Sequence, residues 1–273
     1  MAEISLSKEL QKIVDDVAEV TQYLWQKGWA ARNAGNISVD ITGLIPERGV
    51  NLEQFPKIPV KISSPELAGR CFLVTTTGSR FRELARQPQK NLLIVRMGEK
   101  LDGYHILWGG EPESRPTAEF VAHLKIHGLL RRHNSSQKVV LHGHPGPLIA
   151  LTHLEDYGKD TFQRFLWSTH VSVKFFLPEG VGMAPYQAEG SEELAEVTVN
   201  LFQHHKAVLW QKHGCTTIGT DVADAFDLMD MLNNAAEVFL LCKSAGYEPG
   251  LNQQQLAELK RIKSKLKRIK SNR

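Results

Sequence analysis

A chain of 273 residues with 42% apolar and 23% charged residues has the composition of an ordinary globular protein, long enough to bury a sizeable core. No apolar run approaches the roughly 20 residues that a bilayer-spanning helix needs, and the three scattered cysteines, Cys71, Cys215 and Cys242, suggest no disulfide framework, which fits a reducing cytoplasm. The net charge of +3 hides eight Lys or Arg and no acid in the last fourteen residues; the body is therefore net acidic, which argues against a nucleic-acid or membrane-surface protein.

The N-terminal segment reads as an amphipathic helix, not a secretion signal: Leu10, Ile13, Val17, Val20 and Leu24 step by three and four up to Gly28. Residues 43–68, with Pro46, Pro56, Pro59 and Pro65, read as an elaborated loop. Cys71–Val74, Leu92–Val95 and Tyr104–Trp108 are short apolar runs of strand length. Pro116 precedes a helix expected over 117–131. Lys138–Leu141 reads as a strand, and Val171–Leu177 as another, stopped by Pro178. Ser191 is placed to cap a helix running to about His205, Ala207–Gln211 reads as a strand, and Asp221 caps a long helix ended by Gly246 and Pro249. In the basic tail, Leu256, Leu259, Ile262, Leu266 and Ile269 recur at helical spacing, so its charges read as the solvated face of a terminal amphipathic helix over 251–273. Helices and short strands intermix without a linker, which predicts one α/β domain over residues 1–250.

Three groups of residues carry chemistry. His142-Gly143-His144 stands at the end of an apolar strand, where residues i and i+2 face the same way and can present two imidazoles to one metal. Among eleven histidines such a pair also arises by accident. The segment Val208–Gly214 delivers a further imidazole, His213, at the end of a second apolar strand. Three histidines with one open position form the catalytic, not the structural, zinc pattern. Glu119 opens the helix after Pro116-Thr117; it reads either as a first-turn acid complementing the helix dipole or as a base beside a Lewis acid. A rival metal stripe runs along the same helix, since Glu119, His123 and His127 are each four apart and share a face. Finally, the turns Arg32-Asn33-Ala34-Gly35-Asn36 and Thr75-Thr76-Thr77-Gly78-Ser79 present amide and hydroxyl donors, as ordinary turns do and as phosphate cradles do.

Taken together, Arg32-Asn33-x-Gly35-Asn36, Thr77-Gly78, Pro116-Thr117-x-Glu119, His142-x-His144-Pro145, Pro178-x-Gly180-x-Gly182 and Lys212-His213-Gly214 resemble, in order, the motifs of the class II aldolase/adducin family, over about residues 12–250. Tyr23–Asn36, Tyr104–Gly109, Leu166-Trp167 and Val208–Trp210 are similar to its branch that cleaves L-rhamnulose 1-phosphate to dihydroxyacetone phosphate and L-lactaldehyde. The resemblance implies a three-layer αβα domain with a central, mostly antiparallel sheet, and a cytoplasmic homotetramer with active sites at subunit interfaces. It implies one Zn2+ per subunit on His142, His144 and His213, with Glu119 as the acid/base. Asn33, Gly35, Asn36, Thr77 and Gly78 would hold the phosphate, and the metal would stabilise an enediolate. The same scaffold also suits another sugar phosphate or sugar acid, epimerisation or decarboxylation, or an adducin-like binding role without catalysis. Three positions depart from the branch. Ser172 stands where a Glu reaches across from the neighbouring subunit, with His170 nearby to cover for it. Ala118 replaces a hydroxyl residue, and Ala34 replaces a Gly.

Overall fold

The computed structural model describes residues 3–46, 50–154, 165–247, 250–259 and 261. Among the described residues, nine strands form one sheet: β1 (Asn36–Asp40), β2 (Lys57–Ile58), β3 (Cys71–Thr75), β4 (Leu92–Met97), β5 (Tyr104–Gly109), β6 (Val139–Gly143), β7 (Gly182–Ala184), β8 (Ala207–Trp210) and β9 (Gly214–Gly219). Their order across the sheet is β2-β5-β4-β3-β1-β6-β9-β8-β7. Only the edge pair β7–β8 is parallel; the other pairings are antiparallel.

Four longer helices cover the sheet: α1 (Lys8–Gln26), α2 (Phe120–Arg132), α3 (Glu192–Phe202) and α4 (Val222–Ser244). Strand alternation divides the core between them. In β6, Val139 and Leu141 join the cluster that includes Val17 and Leu24 of α1 and Met229 and Leu232 of α4. Val140, between them, packs with Ile126 and Leu130 of α2 and Leu194 and Phe202 of α3. The expected αβα layering with a mostly antiparallel sheet is therefore what forms.

Local chemistry sets the ends of these elements. Leu194 N donates to Ser191 Oγ at 3.1 Å to start α3, and Asp224 N donates to Asp221 Oδ1 at 2.8 Å to start α4. The strand expected over Val171–Leu177 is instead a short helix, Val171–Phe176. Only Val173 and Leu177 of that run are buried; they lie four apart, the spacing of one helical face, so packing overrides the β preference of the branched residues. β2, inside the stretch read as a loop, together with β7 and β9, are additions to the elements expected from sequence. Residues 253–259 are helical, and the remainder of the basic tail, Arg261 apart, lies outside the described residues.

Candidate metal centre and active site

The antiparallel run β6–β9–β8 brings the three histidines together. His142 sits in β6 with Thr216 of β9 as its cross-strand partner. His213 sits in the tight reversal between β8 and β9, where Lys212 takes φ 63° and Lys212 N donates to Thr152 Oγ1 at 2.8 Å. Ring centroids of His142, His144 and His213 lie 4.9–5.1 Å apart, pair by pair. Their ligand-capable nitrogens all fall within 4.8 Å of one another. His142 Nε2 and His144 Nε2 are 3.0 Å apart, close to the roughly 3.3 Å expected of two nitrogens bound tetrahedrally at about 2.05 Å.

The surroundings favour ligation. Nδ1–H of His142 donates to the Cys215 carbonyl at 3.1 Å, which leaves its Nε2 lone pair facing the other two rings. Trp210 stacks on the His142 ring at 4.4 Å and is itself tied by Nε1–H to Thr198 Oγ1 at 2.9 Å. His213 Nε2 is buried without a hydrogen-bond partner among the described residues, an orphan that a cation would satisfy. Burial, then neighbouring imidazoles, hold His142 and His144 below the ordinary histidine value, His144 at about 4. Burial also lowers His213. All three are neutral near pH 7, the form that binds metal. The donor set therefore fits a divalent ion such as zinc.

Gly214 is required by this crowding, because a Cβ there would lie 2.6 Å from the Gly143 carbonyl, 2.8 Å from His142 Cε1 and 3.0 Å from His144 Cδ2. Gly214→Ala is expected to weaken divalent-metal binding about 10–100-fold by displacing two rings, as measured by chelator competition.

Glu119 occupies the cap position immediately before α2, one step outside the helix in which it was expected. The residue is 4% exposed. Asn36 Nδ2 donates to Oε2 at 2.7 Å, while Oε1 is buried with no partner among the described residues. Burial raises its pKa to about 7, against the Asn36 hydrogen bond. The rival stripe resolves into the support of this carboxylate. His123 Nε2–H donates to Asn36 Oδ1 at 2.6 Å, Ser38 Oγ–H donates to His123 Nδ1 at 2.7 Å, and His127 Nε2–H donates to Ser38 Oγ at 2.8 Å. Burial holds His123 at about 3 and His127 at about 4, so both rings are neutral members of a satisfied relay and are spent on hydrogen bonds. Asn36 and Ser38, two apart on β1, face α2 together, and Asn36 is the cross-strand partner of His142. Ser38→Ala strands two buried ring nitrogens; unfolding in denaturant should show a loss of about 1–3 kcal/mol.

A cavity of about 380 Å³ opens over these groups, lined by Asn33, Gly35, Asn36, Thr77, Gly78, Glu119, His142 and His144, among others. The two glycine-bearing turns thus meet the metal end of one pocket. At Gly35, φ is 86° and a Cβ would press on the Phe81 ring at 3.0 Å and the His142 carbonyl at 3.1 Å, so only glycine passes here. The side chains are partly committed: the Asn36 amide serves Glu119 and His123, and Thr77 Oγ1 donates to the Pro116 carbonyl at 2.8 Å. Ser172 and His170 are not among the described residues lining the cavity. Sequence reading assigned no role to Ser38, Trp210 or the exposed Glu189, which also borders the pocket. A serine inside an apolar strand and a tryptophan at the end of another carry no signal of their own, and Glu189 lies in a loop without periodicity.

The profile of the family described as Class II Aldolase and Adducin N-terminal domain matches residues 15–240. A rhamnulose-1-phosphate aldolase from Bacteroides thetaiotaomicron is 39% identical over 253 residues, 92% of this chain and 93% of that one. Another from Escherichia coli is 33% identical over 248 residues, 89% of each chain. Among solved structures, a sugar-phosphate aldolase from Thermotoga maritima superposes with a TM-score of 0.72 at 31% identity, covering 88% of this chain and 99% of that one. With the buried acid and the glycine-bearing turns lining one pocket beside the histidine cluster, the chain belongs to the class II aldolase and adducin family.

Proposed function

We propose that the chain is a zinc-dependent aldehyde-lyase that cleaves L-rhamnulose 1-phosphate to dihydroxyacetone phosphate and L-lactaldehyde. The observation that carries this reading is the convergence of His142, His144 and His213, from two distant segments, on one point beside the unpartnered Oε1 of Glu119. Those histidines would hold the ion, which when bound supplies Lewis-acid polarisation of substrate oxygens. Retro-aldol cleavage breaks a carbon–carbon bond: the hydroxyl on the departing carbon releases its proton to solvent as that carbon becomes the aldehyde, and the bonding electron pair stays with the ketone fragment. That fragment then needs a proton on carbon. Glu119, with a pKa lifted toward neutrality, is suited to deliver it, and to withdraw it in the reverse direction. Asn36 fixes one carboxyl oxygen and leaves the other without a partner among the described residues. The backbone of the turns at Asn33–Asn36 and Thr77–Gly78 would receive the phosphate, with the second N–H of Asn36 Nδ2 beside it.

Among the described residues no helix is long and apolar enough to cross a membrane, in keeping with a cytoplasmic sugar-degrading enzyme. Uncovered apolar side chains, including Tyr23, Trp25, Val238 and Leu241 on α1 and α4, support self-association as a homotetramer.

The test is release of dihydroxyacetone phosphate, in a coupled assay, from rhamnulose, fuculose and ribulose phosphates presented to zinc-loaded protein. Turnover of rhamnulose 1-phosphate well above the others is expected. Preference for another of the three would reassign the sugar but keep the chemistry. Product from none of them would sink the aldolase reading.

A further inference from the structure

Besides the three histidines, a second group of ligand-capable atoms meets at this pocket. Glu119, Glu189 and His213 place one carboxylate oxygen each and a ring nitrogen within 4.8 Å of one another. Glu189 belongs to the loop between β7 and α3 and is exposed, yet it borders the same cavity as His142 and His144. Two of its neighbours point to a ligand on their own account: Glu119, 4% exposed, keeps Oε1 without a partner, and so does the buried Nε2 of His213, among the described residues. We propose that Glu189 is a fourth, displaceable ligand to the ion held by His142, His144 and His213. The proposal rests on the metal-site reading above.

Distance and charge support it. Two atoms bound to one ion at about 2.0–2.2 Å lie no more than about 4.4 Å apart. Glu189 therefore closes the remaining gap to His213 by rotating an exposed side chain, a motion the core does not oppose. Three neutral imidazoles leave a divalent ion with its full charge, and Glu119 offsets one unit of it. Glu189 offsets the second, making the resting site neutral. The two acids differ in freedom. Glu119 is clamped through Asn36 to the relay of His123, Ser38 and His127, and so stays in place. Glu189 is followed by Gly190, at φ 73° with open space where a Cβ would stand, and among the described residues it has no such clamp to hold it against an incoming substrate oxygen.

Cobalt(II)-loaded full-length protein tests this, with visible absorption reporting the ligand set and chelator competition reporting affinity. Glu189→Gln should bind Co2+ about tenfold more weakly than wild type or worse, and should show a different ligand-field spectrum. Saturating dihydroxyacetone phosphate should make the two spectra converge, because it takes the position Glu189 leaves. Superposed spectra before that addition would overturn the proposal. That holds even with weaker binding, since an affinity change alone means the carboxylate acts only as a nearby charge. His213→Ala serves as the control. Stoichiometric cobalt with an unaltered spectrum in that variant would defeat the metal-site reading itself, an outcome separate from the failure of Glu189 alone.

Discussion

Replacing His213 by alanine is expected to empty the site of metal and to lower turnover about 1000-fold or more. Two remaining imidazoles, His142 and His144, do not make a closed divalent site, and no other described histidine is placed to substitute, since His123 and His127 are committed to Ser38 and Asn36. A metal centre supplies several kcal/mol of charge stabilisation in the transition state. At about 1.4 kcal/mol per tenfold in rate, loss of the ion accounts for three or more orders of magnitude. The fold should survive, because the half-buried imidazole sits in the reversal between β8 and β9 and not within a strand or helix. Elemental analysis of the purified variant, with its melting temperature alongside, checks both halves. Full metal occupancy would mean that the histidine cluster has been misread.

The second large effect belongs to Glu119→Gln, for which a fall in kcat of about 100- to 10,000-fold is expected with zinc still bound. Glutamine keeps the shape and an oxygen for Asn36 Nδ2 but carries no transferable proton. Metal content separates this variant from His213→Ala, and near-normal turnover would dismiss Glu119 as the acid/base. A pH signature accompanies it in metal-free protein. The folded pKa of about 7 lies above the ordinary carboxyl value of 4.5, so between these limits the folded state holds more protons than the unfolded. The stability penalty is therefore absent below about pH 4.5, grows as pH rises and is complete above about 7. Glu119→Gln should flatten that decline in denaturant unfolding, whereas a bound cation opposes it by favouring the carboxylate.

Much of this site is legible in the chain because metal ligation asks for recognisable residue types at constrained places. An imidazole pair at i and i+2 on an apolar strand, and another imidazole beside a glycine at the end of a second, carry their geometry with them. Helix starts at Ser191 and Asp221 are legible for the same reason, since their short oxygens have a defined backbone partner. What escapes is whatever depends on distant neighbours. β9 is Gly-Cys-Thr-Thr-Ile-Gly, buried at every position and without alternation, and it is a strand because β6 and β8 flank it. The helix at Val171–Phe176 follows from which two side chains the core accepts. The histidines of α2 read as a possible metal stripe because spacing alone cannot reveal that β1 lays a serine and an asparagine against them.

That last arrangement separates what this scaffold can change from what it cannot. The Glu119 carboxylate is anchored four residues deep, from Asn36 through His123 and Ser38 to His127, whose ring lies 4.8 Å from Phe72 in the packed interior. Retuning it requires compensated substitutions on a strand and a helix at once. The exposed loop bearing Glu189 answers to no such constraint. A lineage built on this chain can therefore vary that loop freely while the Glu119 relay is inherited unchanged.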